Sequence, residues 1–227
     1  MSEKLKKEAA SKALDYVQPG SIIGVGSGST VNCFIEALGL SGINIEGAVC
    51  SSEETERRLR SHSIPVLSLN DVEIISVYID GADQIDQNFV MIKGGGAALT
   101  REKIIASASN QYICIVDESK LVNNLSDYPV PIEVIPMARE HVMRVLLKTF
   151  GAKPVWREGV ITDNGNIIID VSSLDLTDAL MMEIRLNSVA GIVENGIFAF
   201  CPADVLIVGR KEGVEIKPYT SHSIDFK

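Results

Sequence analysis

The feature that most constrains this chain is a repeated order: a short apolar run, then a glycine-rich or polar turn, then a segment with helical periodicity. The runs Ser21 to Val25, Ile43 to Cys50, Ile74 to Ile79 and Tyr112 to Val116 read as strands buried on both faces. Around them lie helical segments at 3–17, from Val31 to Gly39, from Ser52 to Ser61 and from about Ala97 to Ser107. The first places Leu5, Ala9, Ala13 or Leu14 and Val17 on one face before Pro19-Gly20 stops it. The third opens with a Ser-x-x-Glu pattern, Ser51 or Ser52 with Glu54, that resembles a capping box. Strands that alternate with helices bury their apolar surface as a parallel sheet with helices on both sides. A doubly wound, mostly parallel, Rossmann-like α/β domain is expected.

The pattern changes near residue 128. Val130 to Ile135, Ala138 to Phe150, Lys153 to Trp156, Ile167 to Val171, Thr177 to Leu186 and Ile192 to Phe200 run strand, helix, strand, strand, helix, strand. Asp163-Asn164-Gly165-Asn166 is a hairpin signal, and the order is that of a ferredoxin-like split unit. The expectation is a small inserted α+β domain at 128–201, with 1–127 and 202–227 forming the larger domain. Ala203 to Val208 is expected to return to the parallel sheet.

Composition excludes several functions. The 227 residues are 46% hydrophobic, enough for a substantial core, yet no apolar run approaches the length of about 20 that spans a bilayer. The N-terminus lacks the apolar block of a secretory signal, so a cytoplasmic protein with no membrane partner is expected. A net charge of −9 argues against a nucleic-acid partner, because binding phosphate backbones requires clustered Lys and Arg. Cys33, Cys50, Cys114 and Cys201 are scattered, as are His62, His141 and His222, so no metal site is indicated. A small anionic ligand must then meet positive charge that is local.

Three segments stand where strands end and helices begin, the ligand position of open α/β sheets. The first runs Gly24-Val25-Gly26-Ser27-Gly28-Ser29-Thr30. Its backbone N–H groups and hydroxyls suit a phosphate, though a tight strand-to-helix turn with a hydroxyl cap has the same composition. A dinucleotide fingerprint fails at Ser29, where its third glycine would stand, and no Gly-Lys-Ser/Thr follows as a Walker motif requires. The second is Asp80-Gly81-Ala82-Asp83-Gln84-Ile85-Asp86, whose acids could bind sugar hydroxyls or relay protons; the alternative is a solvated acidic loop. The third is Lys93-Gly94-Gly95-Gly96, followed by Thr100-Arg101-Glu102-Lys103 on a helix. Three consecutive glycines are entropically costly, which points to close approach of a ligand. Lys93 would sit beside free amides, and Glu102 is either its partner or a surface salt-bridge partner of Arg101 or Lys103. Lys120, after the strand ending at Val116, and Lys6 or Lys7, on the first helix, are further candidates for an anion.

The ordered set GVGSGST, YIDGADQID, MIKGGGAALTREKIIA, DESK, PIEVIPMA and GVITDNGNIIID resembles ribose-5-phosphate isomerase of type A over essentially the whole chain. The resemblance implies interconversion of ribose 5-phosphate and ribulose 5-phosphate through a cis-enediol or enediolate, with no metal or organic cofactor, by a homodimer or homotetramer. It implies Glu102 as general base, Lys93 as the cation at the oxyanion, and Asp80 as helper in ring opening and hydroxyl proton shuttling. Substrate-binding positions then fall on Ser27, Gly28, Ser29, Thr30, Asp80, Gly81, Ala82, Asp83, Lys93, Gly94, Gly95, Gly96 and Lys120, with Lys6 or Lys7 assisting at the phosphate. One departure is Gln84, where the family usually has Glu, and activity is expected to survive it. A non-catalytic sugar-phosphate sensor and a nicotinamide-dependent dehydrogenase are the competing readings. The sensor usually carries a basic DNA-binding module that this chain has no length for, and the dehydrogenase fails at Ser29.

Overall fold

The computed structural model describes residues 2–125 and 128–219. His222, the end of the predicted larger domain at 220–227 and its internal boundary at residue 127 lie outside the described residues. In chain order the elements are α1 Ser2–Ala13, β1 Ile22–Val25, α2 Ser29–Ser41, β2 Gly47–Cys50, α3 Glu53–Ser61, β3 Val77–Asp80, β4 Gln84–Ile85, β5 Met91–Ile92, α4 Leu99–Ala108 and β6 Tyr112–Asp117. They continue with β7 Val130–Val134, α5 Arg139–Phe150, β8 Lys153–Ile161, β9 Ile167–Ser172, α6 Ala179–Asn187, β10 Ile192–Asn195, β11 Ile197–Phe198, β12 Val205–Arg210 and β13 Gly213–Pro218.

The main sheet has the order β13-β12-β6-β3-β1-β2, with every pair parallel except the β12–β13 hairpin. Its central strands are apolar on both faces because both are covered. Val25, Ile79, Ile113 and Ile207 pack under α1 and α2, while Tyr78, Cys114 and Leu206 pack toward Ile105 and Ala106 of α4. The chain leaves β1 for β2 on one side and β3 on the other, so the crevice past the C-terminal ends of β1 and β3 is the switch point where ligands bind in such sheets.

The second sheet is antiparallel, ordered β10-β7-β9-β8, with α5 and α6 packed on it around Val142, Leu146, Met182 and Leu186. Numbered within the unit this is 4-1-3-2, the ferredoxin-like arrangement expected from the element order. The α/β architecture is thus the predicted one, and Ala203 to Val208 does return to the parallel sheet, as β12 beside β6.

Several boundaries differ for physical reasons. The predicted first helix ends at Ala13 and tightens into a 3-10 turn at Leu14–Tyr16. The cap of α3 is Ser52, whose side chain accepts from Thr55 N at 3.1 Å, so the third position is Thr55 and not Glu54. The predicted strand Ile192 to Phe200 breaks at Gly196, where the chain changes sheets. Gly196 N donates to Pro131 O at 2.8 Å and Gly196 O accepts from Lys93 N at 2.9 Å. A Cβ at Gly196 would lie 2.2 Å from Lys93 O, so glycine is required there. The strand past the break, β11, joins β5 and β4 in a three-stranded sheet that delivers Lys93 to the crevice. Strand β8 runs on to Ile161 through an irregularity between Trp156 and Ile161, and β13 is an additional edge strand.

Candidate active site

Three acids and bases from different elements meet at the switch point. Asp80 ends β3 and is fully buried. Its Oδ1 accepts from Ser27 N at 3.1 Å and Gly81 N at 2.7 Å, and its Oδ2 accepts a short hydrogen bond from the Tyr78 hydroxyl. The approach is possible only because residue 26 is glycine: a Cβ there would stand 1.9 Å from the Asp80 carboxyl carbon. The Gly26 carbonyl is held in turn by Thr55 Oγ1 at 2.7 Å.

Lys93, 3% exposed, places Nζ 2.8 Å from Asp80 Oδ2 and 3.2 Å from Glu102 Oε2, and donates to Gly81 O at 2.5 Å. Glu102, in the first turn of α4, accepts from Ser27 Oγ at 2.6 Å through Oε1. Its Oε2 has the ammonium for a neighbour but no well-directed hydrogen bond among the described residues. Two carboxylates therefore share one ammonium out of water. Burial, then the Asp80 charge, push Glu102 up to about 7, with Lys93 and Ser27 pulling the other way. Burial opposes the charge on Lys93, but Asp80 and Glu102 outweigh it and hold the ammonium above its ordinary value. Burial and Asp80 likewise keep the Tyr78 phenol protonated.

The flanking residues complete the picture. Gly28 caps α2 with φ 97°, and Ser29 is exposed and accepts from Lys6 Nζ at 3.0 Å. Thr30 is buried in the first turn of α2. Lys6 is thus the lysine at the turn, whereas Lys7 lines a separate 690 Å³ cavity along α1 with Glu3, Lys4 and Glu8. That cavity contains none of the buried cluster, and it is lined by the solvated face of α1 with Val214 of β13 beside it. Asp83 Oδ2 accepts from Gly95 N at 2.7 Å, so this acid braces the glycine loop. Ala82 packs against the core beside β3. Gly96 has Ser27 Oγ as its nearest group, 3.9 Å from where a Cβ would stand, and Ala97 turns the chain into α4 with a left-handed φ of 62°. Lys120 is half-buried in the turn after β6 and makes no hydrogen bond or ion pair with the described residues, so no contact joins it to the Lys93 cluster.

The surface alternative for Glu102 is excluded by its neighbours' partners. Arg101 reaches Asp163 O at 2.6 Å and Asn164 Oδ1 at 2.8 Å. Lys103 is satisfied by Glu183, Glu194, Asn195 O and Ile197 O at 2.7–2.9 Å. Among the described residues no group of three or more His, Cys, Asp or Glu is arranged to hold a metal, and no helix is long and apolar enough to cross a membrane.

Three contributions were not read from the sequence. Tyr78 lies two residues before Asp80 on one strand, hence on the same face, a signal that was available. Arg157 holds the glycine loop from β8. Glu133 of β7 is fully buried and accepts from Thr100 of α4 and, at 2.8–3.3 Å, from Thr162, Asn164 and Asn166 of the β8–β9 turn. It ties that turn to the start of the helix carrying Glu102. Glu133→Ala leaves the buried Thr162 hydroxyl without its acceptor and frees the half-buried Thr100 and Asn166, and is expected to lower unfolding free energy by about 3 kcal/mol in urea titration.

A carboxylate poised near neutrality beside a permanent cation, at the switch point of a doubly wound sheet, defines an α/β enzyme built for proton transfer. Residues 47–213, which include Asp80, Lys93 and Glu102, match the family model described as ribose 5-phosphate isomerase A (phosphoriboisomerase A). A ribose-5-phosphate isomerase A from Actinobacillus succinogenes is 56% identical over 213 residues, 93% of this chain and 97% of its own. The fold is similar to the crystal structure of ribose 5-phosphate isomerase A from Neisseria gonorrhoeae, with TM-score 0.95, 47% identity and coverage of 97% of this chain and 99% of that one. It is also similar to a D-ribose-5-phosphate isomerase in complex with phospho-erythronic acid, with TM-score 0.92, 44% identity and coverage of 96% and 99%. The chain belongs to the ribose 5-phosphate isomerase A family and is an aldose-ketose isomerase interconverting ribose 5-phosphate and ribulose 5-phosphate.

Proposed function

We propose that Glu102 is the base that carries the proton between C2 and C1 of the open-chain sugar. The observation that carries this reading is the burial of Glu102 between Ser27 and Lys93 with its pKa pushed up to about 7. Glu102 takes the C2 proton, the electron pair forms the C1–C2 double bond, and charge moves to O1 of an enediolate. The Lys93 ammonium and the glycine-loop amides not already given to Asp83, that of Gly96 among them, meet that charge where it develops. Glu102 returns the proton to C1 as the C2 hydroxyl becomes the carbonyl. Asp80, hydrogen-bonded to Tyr78 and paired with Lys93, assists ring opening and shuttles the hydroxyl proton, with Gly81, Ala82 and Asp83 along the sugar. The phosphate belongs on the Ser27, Gly28, Ser29, Thr30 turn at the N-terminus of α2, with Lys6 and Lys120 as its cations.

The same reading gives a homodimer or homotetramer working in the cytoplasm on a sugar phosphate, with no nucleic-acid or membrane partner. Its support is the family resemblance together with the net charge of −9. The larger domain is assigned to 1–127 with 202–227 and the smaller one to 128–201, supported by the separate parallel and antiparallel sheets.

The test is the pH dependence of kcat/KM for ribose 5-phosphate. The base acts ionised, so the rate is expected to rise about tenfold per pH unit below 7 and level off above it, with no fall near neutrality because Lys93 keeps its proton. A flat profile from pH 5 to 8 would remove Glu102 as the base. Linkage runs the opposite way for stability: a carboxylate raised from 4.5 to about 7 contributes stability below pH 4.5 that is lost as pH rises through 7.

A further inference from the structure

The glycine loop is gripped from outside the crevice by a residue of the second sheet. Arg157 Nη1 donates to Gly94 O at 3.1 Å and to Gly95 O at 3.0 Å. Its other edge is locked by Asp170, with Nε to Oδ2 at 2.8 Å and Nη2 to Oδ1 at 2.5 Å. Asp170 lies on β9 opposite Val155, and Arg157 lies at the start of the irregular stretch of β8 between Trp156 and Ile161. Such a bulge re-aims a side chain away from the regular pleat, here toward the loop. The arginine side chain is 20% exposed, and an ordinary surface pair with Asp170 would have no need of two carbonyls.

Peptide geometry gives this grip a consequence. In a trans peptide the carbonyl of one residue and the N–H of the next point in opposite directions. With Gly94 O held by Arg157, the Gly95 N–H is turned the other way, and it donates there to Asp83. With Gly95 O held, the Gly96 N–H is also turned from Arg157, and it has no acceptor among the described residues. Ser27, the partner of Glu102, is the nearest group to Gly96 on its open side.

We infer that Arg157, braced by Asp170, is a positioning residue for the isomerase: it fixes the peptide planes of the glycine loop so that the Gly96 N–H is presented to the developing oxyanion. The inference rests on the assignment of Glu102 and Lys93 to the reaction. Arg157 makes no hydrogen bond or ion pair with Asp80, Lys93 or Glu102 and acts through the backbone it orients. A lysine cannot replace it, because an ammonium has no planar fork to hold a carboxylate on one edge and two carbonyls on the other.

The experiment compares Arg157→Ala and Asp170→Asn with wild type for kcat, KM, thermal midpoint and pH profile, and repeats Arg157→Ala with added guanidinium or methylammonium below denaturing concentration. For Arg157→Ala, kcat is expected to fall about 10- to 100-fold with KM changed less than about threefold. The rise of the profile near pH 7 is expected to stay in place, since Glu102 keeps its neighbours. Guanidinium, but not methylammonium, is expected to restore at least about a fifth of the lost rate by filling the vacated fork. Asp170→Asn, which leaves the arginine but loosens its anchor, is expected to show a smaller loss in kcat. A kcat within about twofold of wild type, an effect confined to KM, or a loss that guanidinium does not relieve would overturn the role. Should Arg157→Ala fail to fold, Asp170→Asn decides alone, and a wild-type kcat there overturns it. Glu102→Gln in the same assay separates the two levels. If it stays active, the base assignment fails, whereas an inert Glu102→Gln beside an unimpaired Arg157→Ala removes only the positioning role.

Discussion

Lys93→Met is expected to cost the protein both stability and turnover, lowering unfolding free energy by about 3–5 kcal/mol and kcat by about 10²- to 10³-fold. Among the described residues the ammonium is the one cation that Asp80 and Glu102 share, at 2.8 and 3.2 Å, and it also satisfies the Gly81 carbonyl. Methionine fills much the same volume but leaves two carboxylates facing each other without water or a counter-charge. Glu102, already raised to about 7 with Lys93 holding it down, moves higher, so the residual activity should appear only at more alkaline pH. Urea titration at pH 8 and a pH–rate profile measure both effects. A variant as stable as wild type with an unmoved profile would mean that Lys93 does not carry the electrostatics of this site.

Glu102→Gln is expected to keep the fold and the binding of ribose 5-phosphate while kcat falls about 10³- to 10⁴-fold, the upper part of the range associated with loss of a general base. The amide fits the site: its oxygen can face Lys93 and its nitrogen the Ser27 hydroxyl, which accepts as readily as it donates. It removes the carboxylate that burial and Asp80 most disfavour, so thermal stability at pH 8 should be equal to or above that of wild type. Lost turnover with retained stability and binding separates a chemical role for Glu102 from a structural one.

How much of this was legible in the sequence depends on how local each signal is. The parallel strands were readable because Ile79, Ile113 and Ile115 are buried on one face and Tyr78, Cys114 and Val116 on the other, which leaves uninterrupted apolar runs. The turns at Ser27, Asp80 and Lys93 were readable because strand ends in such sheets converge on one crevice. The two-residue strands β4, β5 and β11 are too short to carry any periodicity, and the break at Gly196 reflects contact with Lys93 and Pro131, far off in sequence. The pairing of Glu102 with Lys93, in place of Arg101 or Lys103, was open on spacing alone. It is settled by partners more than sixty residues away on the second sheet's elements, which draw off both flanking bases. Glu133 sits in a segment that reads only as strand and Arg157 just past the end of one, and their work on the loop and on α4 emerges once the two sheets meet.

The most direct test mixes EDTA-treated wild-type protein and Glu102→Gln with ribose 5-phosphate and follows ribulose 5-phosphate formation side by side. Rapid, chelator-insensitive conversion by the wild type and its near-absence in a folded, substrate-binding variant is the predicted result. A Glu102→Gln protein that keeps a tenth or more of wild-type turnover, on the order of the loss expected from misplacement alone, would contradict the account.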